Sequence, residues 1–233
     1  MKIVCFGDSV TRGVSFFRGR LRIQRQNYPY FLQERLDGEG RDIQVVNKGV
    51  WNDTSTHLLQ RLKADVLDLD PDLVLIEIGG NDCNFRWDEV AASPHDVHEP
   101  IVPLREYLEN VTRLVKEIDG RGTLPVLLTL LPLDPVRYYR HLVRFYGDKL
   151  GHWIGLCGGI EHWHGMYNRF LRRLISDLNI SWIDLRNRFK RKGDLQELLS
   201  DDGVHPLPTG YRAMAECILE GLIELGLAKP ARG

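Results

Sequence analysis

Cysteine is scarce in this chain of 233 residues: Cys5, Cys83, Cys157 and Cys217 are scattered, with no Cys-x-x-Cys pair. That scarcity excludes a disulfide scaffold and a thiolate-rich zinc module, and makes reduced thiols in a cytoplasmic protein the expectation. Long apolar runs are absent too. None approaches the ~20 residues that cross a bilayer, so no membrane-spanning helix is expected. Before Gly7-Asp8 the apolar stretch is only Ile3 to Phe6, too short for a signal-peptide core. Nor does one sign of charge dominate. Lys and Arg number 31 against 32 Asp and Glu, a net charge of −1, which argues against nucleic acid as a partner. No internal repeat or low-complexity linker interrupts the sequence, and a single domain over 1–233 is the simplest organisation.

What is present is the composition of an ordinary folded domain, 43% hydrophobic and 27% charged. Apolar runs of strand length alternate with amphipathic segments, the pattern of an α/β fold with a mostly parallel sheet. Five strands are expected, over Lys2 to Phe6, Ile43 to Asn47, Leu73 to Ile78, Pro125 to Leu131 and Ser181 to Leu185. Most are continuous Val/Ile/Leu runs, as expected when helices cover both faces of a sheet. Between them lie a helix over Tyr30 to Leu36 and three apolar stripes. The stripes are Leu58, Leu59, Leu62, Val66, Leu69; Leu104, Leu108, Val111, Val115, Ile118; and Trp163, Tyr167, Phe170, Leu174, Leu178. A last helix carries Met214, Ile218, Leu222 and Leu225. Residues 83–102 and 133–160 break the alternation. Both emerge at carboxyl ends of strands, the edge where open α/β sheets bind ligands, so they are expected to wall a site.

Four short blocks converge on that edge. Gly7-Asp8-Ser9-Val10 places a serine on a tight turn after the first strand, where its hydroxyl can face a cleft and its N–H a developing oxyanion. Taken alone, such a serine is more often a turn or capping residue. Asn47-Lys48-Gly49 follows the second strand, and Gly79-Gly80-Asn81-Asp82 the third, where the Asn81 amide offers a neutral donor in place of a plain Asx turn. In Asp202-Gly203-Val204-His205 a spacing of three lets the carboxylate reach imidazole Nδ1 and leave Nε2 free as a base. Nucleophile, base, orienting acid and oxyanion donors thus gather in one place.

Together "FGDSVTRG", "NKGVWNDT", "GGND" and "DGVHP" resemble, in order and over nearly the whole chain, the SGNH hydrolases, also called GDSL-type esterases or lipases. The resemblance implies a flavodoxin-like three-layer α/β/α fold and ester hydrolysis without metal or other cofactor. It makes Ser9 the nucleophile, His205 the general base and Asp202 its orienting acid. The oxyanion hole it implies comprises the N–H groups of Ser9 and Gly49 and the amide of Asn81. Its substrate would be a small-molecule ester, such as a short acyl ester or an acetylated sugar. Two positions depart from the pattern: Val10 replaces Leu, and Asn52 stands where many members carry another Gly, which alters that loop.

Other readings are weaker. No G-x-S-x-G elbow is present for a classical α/β-hydrolase, and the Gly7 to Gly13 loop lacks the Lys-Ser/Thr of a phosphate cradle. His152, His162 and His164 lack nearby Cys or carboxylate ligands at metal-site spacing. Arg137, Arg140 and Arg144 read as a solvated helix face rather than an anion site. Trp87, Tyr138 and Trp153, from the two insertions, are candidates for the substrate wall, with lid packing as the alternative. The rival function is a non-catalytic carbohydrate- or metabolite-binding module on the same fold.

Overall fold

The computed structural model describes residues 1–37 and 42–229. In chain order its elements are β1 (Lys2–Gly7), α1 (Ser9–Arg12), β2 (Val14–Phe17), β3 (Arg20–Ile23), α2 (Tyr28–Asp37), β4 (Gln44–Gly49) and α3 (Ser55–Asp65). Then come a 3-10 turn at Leu67–Leu69, β5 (Leu73–Glu77), α4 (Trp87–Ala92), α5 (Leu104–Asp119), β6 (Leu124–Leu128) and α6 (Pro135–Tyr146). The chain ends through α7 (Leu150–Leu156), α8 (Ile160–Leu178), β7 (Trp182–Ile183), α9 (Leu185–Lys190), α10 (Leu195–Leu198) and α11 (Pro208–Glu224).

Five strands form one parallel sheet in the order β4-β1-β5-β6-β7, the flavodoxin-like arrangement. Side chains alternate between the two faces of a strand, and here both sets are apolar. Val4, Phe6, Val74, Ile76 and Leu127 pack against Leu58, Leu62, Val111, Leu114 and Tyr167 from α3, α5 and α8. Ile3, Cys5, Leu75, Val126 and Leu128 pack against Leu32, Phe189, Met214 and Ile218 from α2, α9 and α11. That double burial is why the strands read as unbroken apolar runs, and it makes the three layers.

Some boundaries differ from expectation. The fifth strand shrinks to Trp182–Ile183 because it lies at the sheet edge and meets β6 at only two positions. On α8 the inward stripe is Ile160, Trp163, Tyr167, Leu171 and Ile175, whereas Phe170 and Leu178 are exposed. The sequence carries apolar residues on two neighbouring strips of this helix, and the four-residue spacing selects the buried one. An unexpected antiparallel hairpin, β2–β3, follows Ser9 directly. Its two-residue loop, Arg18-Gly19, has φ of 51° and 73°, the positive pair that suits the right-handed twist of a hairpin. The second insertion is largely helical, forming α6 and α7, whereas the first is mostly irregular around the short α4. Among the described residues no helix is long and apolar enough to cross a membrane.

Candidate active site

The turn after β1 is built around close backbone approach. A Cβ on Gly7 would sit 2.3 Å from the Glu77 carbonyl oxygen, so only glycine lets β1 and β5 end side by side here. Asp8 then caps α1 by accepting the Val10 N–H at 2.9 Å, and Gly13, at φ 99°, ends the helix after one turn. Ser9 is consequently the first helical residue, and its N–H donates to no group among the described residues.

Ser9 Oγ lies 2.8 Å from His205 Nε2, and His205 Nδ1 lies 2.6 Å from Asp202 Oδ2. With Nδ1–H donating to the carboxylate, Nε2 presents its lone pair to the Ser9 hydroxyl. Asp202 Oδ1 accepts the backbone N–H groups of Val204 and His205 at 3.0 and 3.1 Å, and lies 3.0 Å from the Ser200 hydroxyl. Burial pushes Asp202 up. The hydrogen bond and charge of His205, with the two backbone donors, outweigh burial and hold the carboxyl below its usual range. This loop is strapped to the hairpin: Ser15 Oγ donates to the Pro206 carbonyl, Phe16 N–H to Ser200 Oγ, Asp201 N–H to the Phe16 carbonyl, and Arg18 N–H to Asp201 Oδ2.

A second set of acids lies beneath Ser9. Burial raises Asp8 to about 7, against the Val10 N–H that stabilises its charge, and raises Asp82 to about 6, against the Ser55 donors. Glu77 is driven well above its ordinary value by burial and by the neighbouring Asp8 carboxyl, and its Oε2 has no hydrogen-bond partner among the described residues.

The groups expected to serve as oxyanion donors are placed differently from one another. Asn81 lines the cavity; its Nδ2 donates to the Asp53 carbonyl at 2.8 Å and more weakly to Asp8 Oδ2 at 3.4 Å. Gly49 is a correction: its N–H already donates to Asn47 Oδ1 at 2.8 Å, and it does not line the cavity. Its glycine has a packing cause instead, since a Cβ there would lie 2.1 Å from the Arg12 nitrogen. Asn52, three residues on, lines the cavity at φ 60° and has an N–H with no partner among the described residues. Asn tolerates the left-handed region better than other non-glycine residues. The clue in the sequence was the substitution itself, Asn where relatives of the family carry Gly. Arg61 fixes this loop by donating to Asp53, Asp65 and the carbonyls of Lys48 and Gly7.

The cavity, about 380 Å³, opens over Ser9. Trp87 and Tyr138 line it, and both reach Asn84 Oδ1, at 2.8 Å each. Trp153 does not line it; its ring packs edge-on against Phe85 at 5.7 Å and His98 at 5.0 Å. Two lining groups, Trp51 and the hairpin residues, escaped the sequence reading, and a third, His164, belongs to the histidine stretch for which a structural or substrate-wall role is expected. Trp51 lies nearly parallel to His205 at 6.0 Å, Phe16 and Leu21 come from the unforeseen hairpin, and His164 accepts from Arg186 at its Nδ1. Burial and the Arg186 and Lys190 charges push His164 down to about 3, which keeps it neutral. His152 meets His95 instead, at 4.5 Å, so the three histidines of that stretch have separate neighbours.

Residues 5–213 match the model of the GDSL-like lipase/acylhydrolase family. An arylesterase of Vibrio mimicus is 35% identical over 225 residues, covering 96% of this chain and 88% of that protein. Among solved structures, a lipase/acylhydrolase from Enterococcus faecalis superposes with a TM-score of 0.70 at 21% identity, over 100% of this chain and 99% of that one. A catalytic mutant of Axe2, an acetylxylan esterase from Geobacillus stearothermophilus, superposes at 0.66 and 22% identity, over 95% and 93%. Both show the same fold. The chain therefore belongs to the GDSL-like lipase/acylhydrolase family, and is an ester-hydrolysing enzyme.

Proposed function

We propose that the chain is a single-domain serine esterase that forms an acyl-enzyme on Ser9. One observation carries this reading: Ser9 Oγ, His205 and Asp202 stand in an unbroken hydrogen-bonded row at the floor of a cavity. Ser9 Oγ attacks the ester carbonyl carbon as its proton passes to His205 Nε2. Asp202 holds the ring and stabilises the imidazolium. The oxyanion lies between the N–H of Ser9, the N–H of Asn52 and the Asn81 amide, whose longer bond to Asp8 leaves one hydrogen available. The imidazolium then gives its proton to the departing alkoxide. Water repeats the sequence, with His205 taking its proton, and the carboxylic acid leaves.

The lining supports an uncharged ester with an apolar acyl or aryl part, since Leu130, Leu133, Leu142, Trp87 and Trp163 face the space beside Ser9. Four free cysteines support a reducing, cytoplasmic setting. Fluorophosphonate treatment followed by peptide mass analysis is expected to place the label on Ser9. Hydrolysis of p-nitrophenyl acetate should vanish in Ser9→Ala, by about 10⁶-fold in kcat. An unlabelled Ser9 in folded protein sinks the reading.

A further inference from the structure

The cavity mouth carries side chains that ester chemistry does not use. The β2–β3 hairpin and α6 meet at its rim through aromatic rings: Phe16 meets His141 edge-on at 4.8 Å, and His141 meets Phe145 at 4.9 Å. Gly19 at the hairpin tip lies beside the Arg144 guanidinium. Around this rim Phe17, Leu21, Ile23, Phe145 and Tyr146 are exposed, Ile23 to 63% and Phe145 to 58%. Arg18, Arg20, Arg22 and Arg25 are interleaved with them on the hairpin side, and Arg140 and Arg144 on α6. All six are exposed, and none pairs with a carboxylate among the described residues. The acids beside them are Asp201, which accepts the Arg18 backbone N–H at 3.0 Å, and Asp148 just past α6.

The hairpin carries exposed apolar side chains on both faces, since Phe17 pairs with Arg20 and shares the face of Arg20 and Arg22. Across the register Phe16 is paired with Leu21 and Val14 with Ile23, so these share one face, while Arg20 and Arg22 point to the other. All four residues of β3 are exposed. In a chain of net charge −1, six unpaired arginines on one rim create a local positive field that the composition conceals. A purely polar anion would satisfy the arginines and leave Ile23, Leu21 and Phe145 in water. A surface that offers anionic headgroups above an apolar layer satisfies both sets.

We propose that the hairpin and α6 dock the enzyme onto an anionic lipid surface, with the cavity mouth turned toward the headgroups. Docking goes beyond ester hydrolysis and is measured without turnover, so its fate is independent of the assignment of Ser9.

Sedimentation with vesicles tests it, using phosphatidylcholine alone and phosphatidylcholine with about one third phosphatidylglycerol. The full chain is expected to pellet with the anionic vesicles, not with the neutral ones, and to be released at about 0.5 M salt. Each arginine near such a surface is worth about a fivefold change in partitioning, so the double variant Arg20→Glu/Arg22→Glu should lose at least about 25-fold. Ile23→Ser should lose about fivefold through its apolar contact. None of these three residues lines the cavity, so unchanged p-nitrophenyl acetate hydrolysis shows that the variants are folded. Absent binding, equal binding to both vesicle types, or full binding by the charge-reversed variant overturns the proposal. Undiminished binding of Ile23→Ser does so as well, by reducing the contact to adsorption of charge alone.

Discussion

Two groups of buried acids flank Ser9, and they ionise in opposite directions. Asp202 is buried, yet three N–H donors surround it, two from backbone and one from His205, and it is held below the usual carboxylate range. Asp8, Glu77 and Asp82 are equally buried on the other side of Ser9, and each is raised. Glu77 Oε2 and Asp82 Oδ2 have no donor among the described residues. The His205 hydrogen bond and charge at Asp202 account for the contrast, since burial is common to both groups and Asp8 and Asp82 also accept backbone N–H groups. One carboxyl is held toward its charged form, and burial biases the others toward their protonated forms in the loops after β1 and β5.

The contrast can be broken most sharply at Asp202. Asp202→Asn removes the charge and lets an amide N–H face Nδ1, favouring the wrong tautomer of His205; kcat should fall by about 10⁴-fold. Steady-state kinetics with p-nitrophenyl acetate measures this, and a loss under tenfold would strip Asp202 of its role. Asn81 sits between the two groups, bonded to Asp8 on one side and facing the cavity on the other. Asn81→Ala should cost about 10²- to 10³-fold in kcat with little change in thermal stability.

The smallest effect, on pH dependence, sharpens the comparison most. An acid whose pKa is raised by folding binds its proton more tightly in the folded state, so stability falls as pH rises from the unfolded value to the folded one. For Asp8 that window runs from about 4 to about 7. Asp202 works the other way: its contribution is present above about pH 4 and is lost as pH falls through its depressed folded value. Thermal melts monitored by circular dichroism across this range should decline toward neutral pH in the wild type. Asp8→Asn, which can still cap α1, should flatten that decline, whereas Asp202→Asn should instead flatten the loss on the acid side. Identical pH profiles for the two variants would erase the distinction.

The sheet and the four motif blocks were legible because buried parallel strands must be continuously apolar, and the groups that end them lie next to those strands in sequence. Ser9 and Asn81 follow from that rule, whereas Asp202 and His205, separated from β7 by α9 and α10, were legible from their own spacing of three. The choice between Gly49 and Asn52 did not, since it depends on which N–H the Asn47 side chain consumes and on a backbone angle of 60° at Asn52. The hairpin was missed for another reason: β3 is wholly exposed, so Arg20, Leu21, Arg22 and Ile23 do not form the half-buried alternation by which strands are recognised. Trp153 was misplaced because an aromatic residue in an insertion can face the cavity or the packing behind it, and composition does not distinguish the two sides.

The strap between the hairpin and residues 200–206 gives the site parts of unequal permanence. Ser9 is anchored where β1, β4 and β5 end, within the most deeply buried part of the sheet. His205 is held in register by bonds from Ser15, Phe16 and Arg18, whose own continuation is the exposed ribbon of β3. The same hairpin continues directly from the turn that carries Ser9, so one short ribbon joins the end of β1 to the loop that carries His205, and two stretches nearly two hundred residues apart in sequence share one support.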